Sequence, residues 1–388
     1  MKILPTVAVC ALVALPLGAC SLTESNKKGD GASGGAITVT SSAKACTLSR
    51  TATGSGTVAF KIRNTGDKVT EFYLYAEDGK KIVGEVENIG PGLTRDLVVT
   101  AAPGTYVTAC KPGMEGAGIR GKLTVTGSGK ASSASDVDRA NLKRATDSYA
   151  TYVKDQAQQL LDGTTAFVAA YKAGDDARAR SLYATARQPW ERIEPVAESF
   201  GDLDPKMDLR EADLEPGQRW TGWHLIEKDL WPPAGKAYKP LTPAERATYA
   251  ADLLANTKDL HTRVQTATYD ATQLGNGAKE LMDEVATGKI TGEEEIWSHT
   301  DLVDFQANVD GAKQAFELLE PVLESRDEAL EKQIDARFDA LQQQLDTYRQ
   351  GSGFVSYDTV TAAQRKQLSD AVNALSEPLS KMTGVVAG

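Results

Sequence analysis

The sequence predicts a two-domain protein of the β plus α class, in which an N-terminal β-sandwich precedes an all-α helical bundle. Within residues 36–128 apolar and polar residues alternate with a period of two, and turn residues recur about every 8 to 12 positions, which indicates an all-β sandwich or barrel. Residues 129–137 (GKASSASDV) form a polar linker. Within residues 138–386 glycine is sparse and apolar residues recur at spacings of three and four, which indicates a bundle of amphipathic helices.

About seven strands fit the N-terminal pattern. Each is a short alternating run that ends at Gly, Pro, Asn or Asp: ITVT, TVAFKIRN, EFYLYA, IVGEVENI, RDLVVTA, GTYVTAC and GKLTVTG.

The helical pattern occurs in segments that are long enough to pack as a bundle. They are Leu142 to Tyr171, Ala177 to Phe200, Trp220 to Trp231, Pro243 to Thr268, Leu302 to Leu323, Ala329 to Tyr348 and Ala362 to Met382.

Residues 1–20, MKILPTVAVCALVALPLGAC, have the features of a lipoprotein signal peptide. The apolar run from Val7 to Leu17 is too short to cross about 30 Å of hydrocarbon, and it leads to small residues as a cleavage site requires. Cys20 stands where lipoproteins are lipidated; the alternative is an ordinary secretory signal with an incidental cysteine. Residues 21–35 form a flexible tether. We therefore expect an extracytoplasmic protein, anchored by lipid to the cell membrane in the cell envelope or periplasm.

Charge separates the two halves of the chain. The formal net charge is −10, but residues 36–128 carry +3 and residues 129–388 carry −14. An acidic surface concentrates cations and repels nucleic acid, so we expect no nucleic-acid partner.

His224 and Glu227, in GQRWTGWHLIEKDLW, form the best candidate metal pair. Residues three apart on a helix lie on one face, about 5 to 6 Å apart at Cβ, and can share one ion. Imidazole and carboxylate suit iron, zinc, copper or manganese better than calcium. The alternative is a surface pair without a metal.

A second helical window supplies candidate co-ligands. Glu191 and Glu194, followed by Glu198, align three carboxylates on one face, where like charges destabilise a bare helix. Either this face is solvated, or a cation lies between it and the His224 helix. We assign His299 to the cap of the helix that begins near Leu302, because Ser, Thr and Asp beside it are favoured at helix starts.

The N-terminal half offers a possible second site at Cys46, Glu71 and Cys110. Blue-copper centres combine Cys with two His and a weak axial Met, whereas TYVTACKPGMEG contains no His. Two alternatives stay open. Cys46 and Cys110 form a disulfide, as cysteines in an oxidising compartment usually do, or both bind a metal with Glu71.

Longer blocks carry a family resemblance. NTGDKVTEF, EVENIGPG and GTYVTACKPGM resemble the cupredoxin-like domain of the EfeO family, and WERIEPVAESFGDLDP, GWHLIEKDLW and SHTDLVDFQANVDGA resemble its imelysin-type domain, which is classified among metallopeptidases. The resemblance covers nearly the whole mature chain. It implies a cupredoxin-like domain at 36–128 and an imelysin-type helical metal-binding domain at 138–386.

The resemblance implies iron uptake outside the cytoplasm. In this family the protein captures ferrous or ferric iron and delivers it to a membrane iron permease, and a haem peroxidase of the dye-decolorising type is a further partner. The family implies metal binding by His224 and Glu227 with nearby acidic residues, and a metal role for Cys46, Glu71 and Cys110 that involves copper or iron. The predicted lipid anchor is a departure, since some members are soluble in the periplasm.

Two rival functions stay open beside iron binding. A zinc-dependent metallopeptidase is one, although the string His-Glu-x-x-His of common helical zinc peptidases does not occur. A copper-dependent ferroxidase that uses the N-terminal domain is the other. We expect a binding protein rather than an enzyme.

Overall fold

Two β-sheets form the N-terminal part of the structure, which is a computed structural model that describes residues 35–114, 116–127, 135–233 and 238–387. Nothing is described for the side chain of Glu198. The predicted signal peptide with Cys20, the tether up to residue 34 and linker residues 129–134 lie outside these ranges.

The strands of this region are β1 (Ile37–Ser41), β2 (Cys46–Leu48), β3 (Ala52–Gly54), β4 (Gly56–Asn64), β5 (Thr70–Tyr75), β6 (Ile82–Ile89), β7 (Thr94–Ala101), β8 (Gly104–Cys110) and β9 (Ile119–Thr126). One sheet has the order β2-β1-β4-β7 and the other β3-β9-β8-β5-β6. The inward residues of both sheets, among them Val39, Phe60, Phe72 and Leu97, form one buried core. The predicted β-sandwich is therefore confirmed, with β2 and β3 added because three-residue strands are too short to show alternation.

The helices of the second part are α1 (Asp136–Ala173), α2 (Asp176–Ile193), α3 (Asp204–Met207), α4 (Trp223–Leu230), α5 (Pro243–Val264), α6 (Ala271–Thr287), α7 (Asp301–Asp346) and α8 (Ala362–Ala387). A 3₁₀ segment, Glu194–Phe200, continues α2, and the short strands β10 (Arg349–Gln350) and β11 (Gly353–Phe354) form a hairpin before α8. The helices surround a single apolar core. None of the described helices has the length and apolarity needed to span a membrane.

Two features of the bundle differ from the predicted segments. The two segments that meet near residue 327 form one helix, α7, with a bend at Asp327 (φ −152°, ψ 76°), whose side chain accepts a hydrogen bond from the Leu330 amide at 3.0 Å. This carboxylate caps the second half of the helix as an N-cap residue does.

Helix α6 is absent from the sequence prediction because Gly275 and Gly277 resemble a break in a helix. The structure gives them a packing role. A Cβ at Gly277 would lie 1.8 Å from the carbonyl oxygen of Pro195, and one at Gly275 would lie 2.5 Å from Thr383 Oγ1. Glycine therefore lets α6 approach the 3₁₀ segment and α8 closely.

Helices α6 and α8 also contact the β-sandwich. The Thr100 amide donates to Thr272 Oγ1 at 3.0 Å, Asn276 Nδ2 donates to the Val98 carbonyl at 2.7 Å, and Thr57 Oγ1 donates to the Ala387 carbonyl at 3.0 Å. Strand β7 is thus joined to the bundle, and β6, at the edge of the other sheet, also contacts α6.

We predict that Gly277→Ala destabilises the protein by about 3 kcal/mol, because the added methyl group overlaps the backbone of Pro195. Gly384→Ala is the matched control, since nothing lies within 4 Å of a Cβ at that position of α8. It should stabilise the protein by about 0.5 to 1 kcal/mol. Urea unfolding of both variants measures the difference, and equal stability of the two would contradict the packing role of Gly277.

Candidate metal centre

Helix α4 brings His224 and Glu227 into the interior on one face. The helix starts at Gly222, whose φ of +92° favours glycine and whose Cβ would lie only 2.1 Å from the Met207 carbonyl oxygen. This close approach sets the start of α4 against the end of α3. His224 consequently lies beside Asp208, the residue that follows α3.

His224 is buried between two sets of carboxylates, one at each ring nitrogen. Its Nε2 lies 3.3 Å from Asp208 Oδ1 and 3.7 Å from Glu294 Oε1. Its Nδ1 lies 3.3 Å from Glu227 Oε2 and 4.0 Å from Glu295 Oε1. Each set, with the ring nitrogen it faces, brings three potential ligand atoms within 4.8 Å of one another. One imidazole therefore has two alternative metal positions.

Glu227 is held firmly on its side of the ring. Its Oε1 accepts hydrogen bonds from the amides of Trp297 and Ser298 at 3.0 and 2.7 Å. Its other oxygen faces His224 Nδ1. A carboxylate in this position orients the ring and raises the basicity of the opposite nitrogen.

Arg187 on α2 lies at the middle of the carboxylates and is fully buried. It forms ion pairs with Glu191 and Asp208, and its Nε lies 2.9 Å from Glu295 Oε1. Nε is also 3.6 Å from Asp304 Oδ2, and neither oxygen of buried Asp304 accepts a hydrogen bond in the described structure. Buried polar atoms without a partner are uncommon, and an added proton or a bound cation would satisfy them.

Lys289 forms ion pairs with the acidic residues at the end of α2 and the start of the 3₁₀ segment. Its Nζ lies 3.0 Å from Glu191 Oε2 and 2.8 Å from Glu194 Oε2. Asn308 on α7 donates to the same two carboxylates at 3.0 and 2.6 Å. A lysine thus supplies positive charge to Glu191 and Glu194.

The carboxylates of the centre are not equivalent in their pKa values. Burial raises the pKa of Glu295 and of Asp304 well above the usual range. Burial acts in the same direction on Asp208, but Arg187 and His224 outweigh it and lower that pKa. The metal-free centre therefore contains both protonated and ionised carboxyl groups.

The pKa of His224 is raised well above its usual range. Burial and Arg187 lower it, but hydrogen bonds to Asp208, Glu227 and Glu294 outweigh both. A cation that binds this ring must displace a proton, so its affinity should fall as the pH falls.

Two cavities lead to the centre. One of about 320 Å³ lies between the sandwich and the bundle and is lined by Glu85 and Glu87 of β6 and by Asp208 and Glu294. Another of about 240 Å³ reaches His224 itself, beside Glu294 and Trp297. An ion can therefore approach the ring at its Nε2 side through acidic surroundings.

Comparisons with known proteins agree with this architecture. Residues 145–382 match the imelysin family and residues 9–125 match the cupredoxin-like domain. The chain is 45% identical over 252 residues to an Efem/EfeO family lipoprotein of Staphylococcus haemolyticus (strain JCSC1435), which covers 64% of this chain and 85% of that protein. It is 44% identical over 257 residues to the lipoproteins of the same description from Staphylococcus aureus strains MRSA252 and NCTC 8325, covering 65% of this chain and 88% of each.

The chain belongs to the Efem/EfeO family. The resemblance found in the sequence is thereby confirmed, as is the fold class, a cupredoxin-like sandwich followed by an imelysin-type bundle.

The structure brings the predicted helical residues of this Efem/EfeO protein together in two ways. His224 and Glu227 are in direct contact, whereas Glu191 and Glu194 reach the same centre through Arg187 and Lys289. His299 adopts a left-handed conformation (φ 57°) just before α7, and no side-chain cap of that helix is found.

Sequence reasoning missed several acidic residues of the centre: Asp208, Glu294, Glu295 and Asp304. One signal could have indicated two of them, because the run Glu293, Glu294 and Glu295 is an unusual concentration of charge immediately before apolar Ile296.

The structure corrects the predicted set of Cys46, Glu71 and Cys110. Cys46 and Cys110 form a disulfide, the other alternative left open by the sequence, so neither offers a thiolate to a metal. Cys110 belongs to the sandwich core, whereas Glu71 faces Tyr73 and Lys111 outside that core. The described structure therefore does not assemble these three residues into one site.

Cys46→Ser combined with Cys110→Ser should lower the free energy of unfolding by about 4 kcal/mol, because the disulfide closes a loop with a sequence separation of 64. Guanidinium unfolding measures this loss. Metal titration of the same variant should match the parent, since the candidate centre lies in the bundle. If the folded double variant lost metal binding, the cysteines would instead have a metal role.

Glu71→Gln should change the pH dependence of stability. Burial and Glu87 raise the pKa of Glu71 from 4.5 to about 7, so the folded state keeps its proton to a higher pH than the unfolded chain. This residue's contribution to stability therefore falls as the pH rises from about 4.5 to about 7 and stays low above that range. Relative to the parent, Glu71→Gln should gain up to about 3 kcal/mol between pH 4.5 and 8. Unfolding curves at several pH values test this, with exposed Glu77→Gln as the control.

Proposed function

We propose that this protein is an extracytoplasmic iron-binding lipoprotein that captures iron at the His224 centre and delivers it to a membrane permease. The observation that carries the proposal is the pair of three-ligand sets that share the His224 ring. Membership of the Efem/EfeO family supports the same function.

The chemistry of the donors suits iron. The centre offers one imidazole and several carboxylate oxygens, and the candidate ligand sets in the described part contain no cysteine. Oxygen and imidazole donors suit ferrous and ferric iron, manganese and zinc, whereas soft sulfur donors favour Cu(I). The excess of carboxylates over cationic groups also favours an ion of charge two or three.

The Nε2 side of His224 is the position we propose for the ion, with Asp208 and Glu294 as further ligands. These two carboxylates line the cavity from which an ion would arrive. Glu227, on the other side, would orient the ring through Nδ1. Glu191 and Glu194 stay predicted co-ligands; in the described structure their nearest cation is Lys289.

Attachment and partners complete the proposal. The staphylococcal relatives are named lipoproteins, which supports lipidation of Cys20 at the end of a signal peptide. A tethered iron carrier requires a membrane permease as acceptor, and a haem peroxidase of the dye-decolorising type is the second partner we propose.

His224→Ala should weaken the binding of Fe²⁺ by more than about 100-fold. Glu227→Gln should weaken it by about 10- to 100-fold, because the native Glu227 orients the ring without binding the ion. Anaerobic isothermal titration calorimetry of each variant measures the change. His261→Ala on α5, outside the centre, is the matched control and should bind as the parent does.

Unchanged affinity in His224→Ala together with Glu227→Ala would reject the site. The same variants separate the rival functions, because a zinc peptidase would cleave a peptide library in a zinc-dependent reaction that His224→Ala abolishes. Titration at lower pH should also give weaker binding in the parent, since a higher proton concentration then competes with the metal for His224.

A further inference from the structure

Lys289 is an unusual residue to find in the interior of the bundle. Lysine is almost never fully buried unless its charge is paired, and this side chain is only 4% exposed. It stands in a short 3₁₀ turn, Lys289–Thr291, between α6 and α7. Its position therefore depends on the carboxylates that surround it.

These carboxylates converge on the ammonium group as they would on a metal ion. Nζ lies 2.9 and 2.8 Å from the two oxygens of Glu194, 3.0 Å from Glu191 Oε2 and 3.7 Å from Glu294 Oε1. Chelation of one point by both oxygens of a carboxylate is a common mode of cation binding. The ammonium group occupies a site whose donors are all oxygen.

Glu294 joins this site to the His224 centre. The same atom, Glu294 Oε1, lies 3.7 Å from Lys289 Nζ and 3.7 Å from His224 Nε2. One carboxylate between two cation positions is the arrangement found in two-metal sites within helical bundles. Here one of the two positions contains a side-chain cation.

Asn308 provides an independent indication of a ligand position. It is fully buried, and its Nδ2 donates to Glu191 and Glu194, while its Oδ1 has no hydrogen-bond partner in the described structure. Buried polar atoms rarely lack a partner, so this oxygen marks an unfilled polar position beside the two carboxylates.

We propose that the ammonium group of Lys289 occupies the second position of a carboxylate-bridged pair, and so limits this protein to one metal ion per His224 centre. Removal of the ammonium group opens a latent site formed by Glu191, Glu194 and Glu294. The inference rests on the proposed function, because the first ion is the one at His224.

The ammonium group of Lys289 affects how tightly the neighbouring ion binds. It balances part of the negative charge permanently and repels the neighbouring ion, so the ion binds less tightly than it would in an all-carboxylate site. A single ion held in this way suits reversible capture better than a closed two-metal cluster.

The test is the number of Mn²⁺ ions bound by the full mature chain. The parent should bind one ion, and Lys289→Met should bind two, as measured by calorimetry and by metal analysis after gel filtration. The electron paramagnetic resonance spectrum should change from that of isolated Mn²⁺ to that of an exchange-coupled pair. Lys279→Met is the matched control, since Lys279 pairs with Asp283 outside the centre and should leave one ion.

The outcomes separate this inference from the proposed function. A parent that binds no ion at His224 rejects the proposed function. A parent that binds one ion, with folded Lys289→Met that also binds one, rejects the role of Lys289 alone. Two ions in the parent would reject it as well.

Two further variants serve as controls for the folding of Lys289→Met. Lys289→Met leaves Glu194 without its cation and Glu191 with Arg187 as its remaining ion-pair partner, so its thermal stability should be low without metal and should recover with Mn²⁺. Lys289→Gln keeps a hydrogen-bond donor and should also gain a second ion. Lys289→Met with Glu194→Gln relieves the excess charge and should return to one ion; two ions there would contradict Glu194 as a ligand.

Discussion

The buried guanidinium group of Arg187 is the interaction on which the rest of the bundle interior depends. It forms ion pairs with carboxylates from separate elements: Glu191 on its own helix, Asp208 after α3, and Glu295 before α7. Carboxylates cannot gather in an interior without a cation, and removal of one partner from a buried ion pair costs about 3 to 5 kcal/mol. The planar, permanently charged guanidinium group contacts several carboxylates at once, which a single lysine could not do with fixed geometry. Arg187 therefore positions the carboxylates Asp208 and Glu295 beside His224.

The charge of the centre is balanced only in part, and this follows from the residues that surround the two internal cations. Seven carboxyl groups, those of Glu191, Glu194, Asp208, Glu227, Glu294, Glu295 and Asp304, face Arg187, Lys289 and one imidazole. The raised pKa values of His224, Glu295 and Asp304 favour the protonated forms of these groups, which would offset part of the difference. If the centre binds a metal ion as proposed, the ion would replace protons on these groups.

Sequence patterns predicted the parts of the structure that depend on local order. Alternation located the seven longer strands, and three-to-four spacing located most helices and the shared face of His224 and Glu227. Patterns could not predict α6, because a glycine inside this helix is explained only by the close approach of Gly277 to Pro195 in the folded chain. They also missed the identity of the cation beside Glu191, since Lys289 follows 98 residues later in the chain. Asp208 and Glu294 joined the site through tertiary contacts that no spacing along one helix encodes.

The cupredoxin-like sandwich and the bundle cannot be treated as independent in the described structure. Hydrogen bonds from Thr100 and Asn276 join β7 to α6, and Gly277 brings α6 against the segment that carries Glu194. The same contact forms the cavity in which Glu85 and Glu87 of the sandwich face Asp208 and Glu294 of the bundle. The sandwich contains a disulfide between Cys46 and Cys110, so these cysteines offer no thiolate, and its link to the candidate centre in the described structure is this shared cavity. Carboxylates on both walls raise the local concentration of cations, and the domain contact therefore shapes the approach to the metal centre as well as the fold.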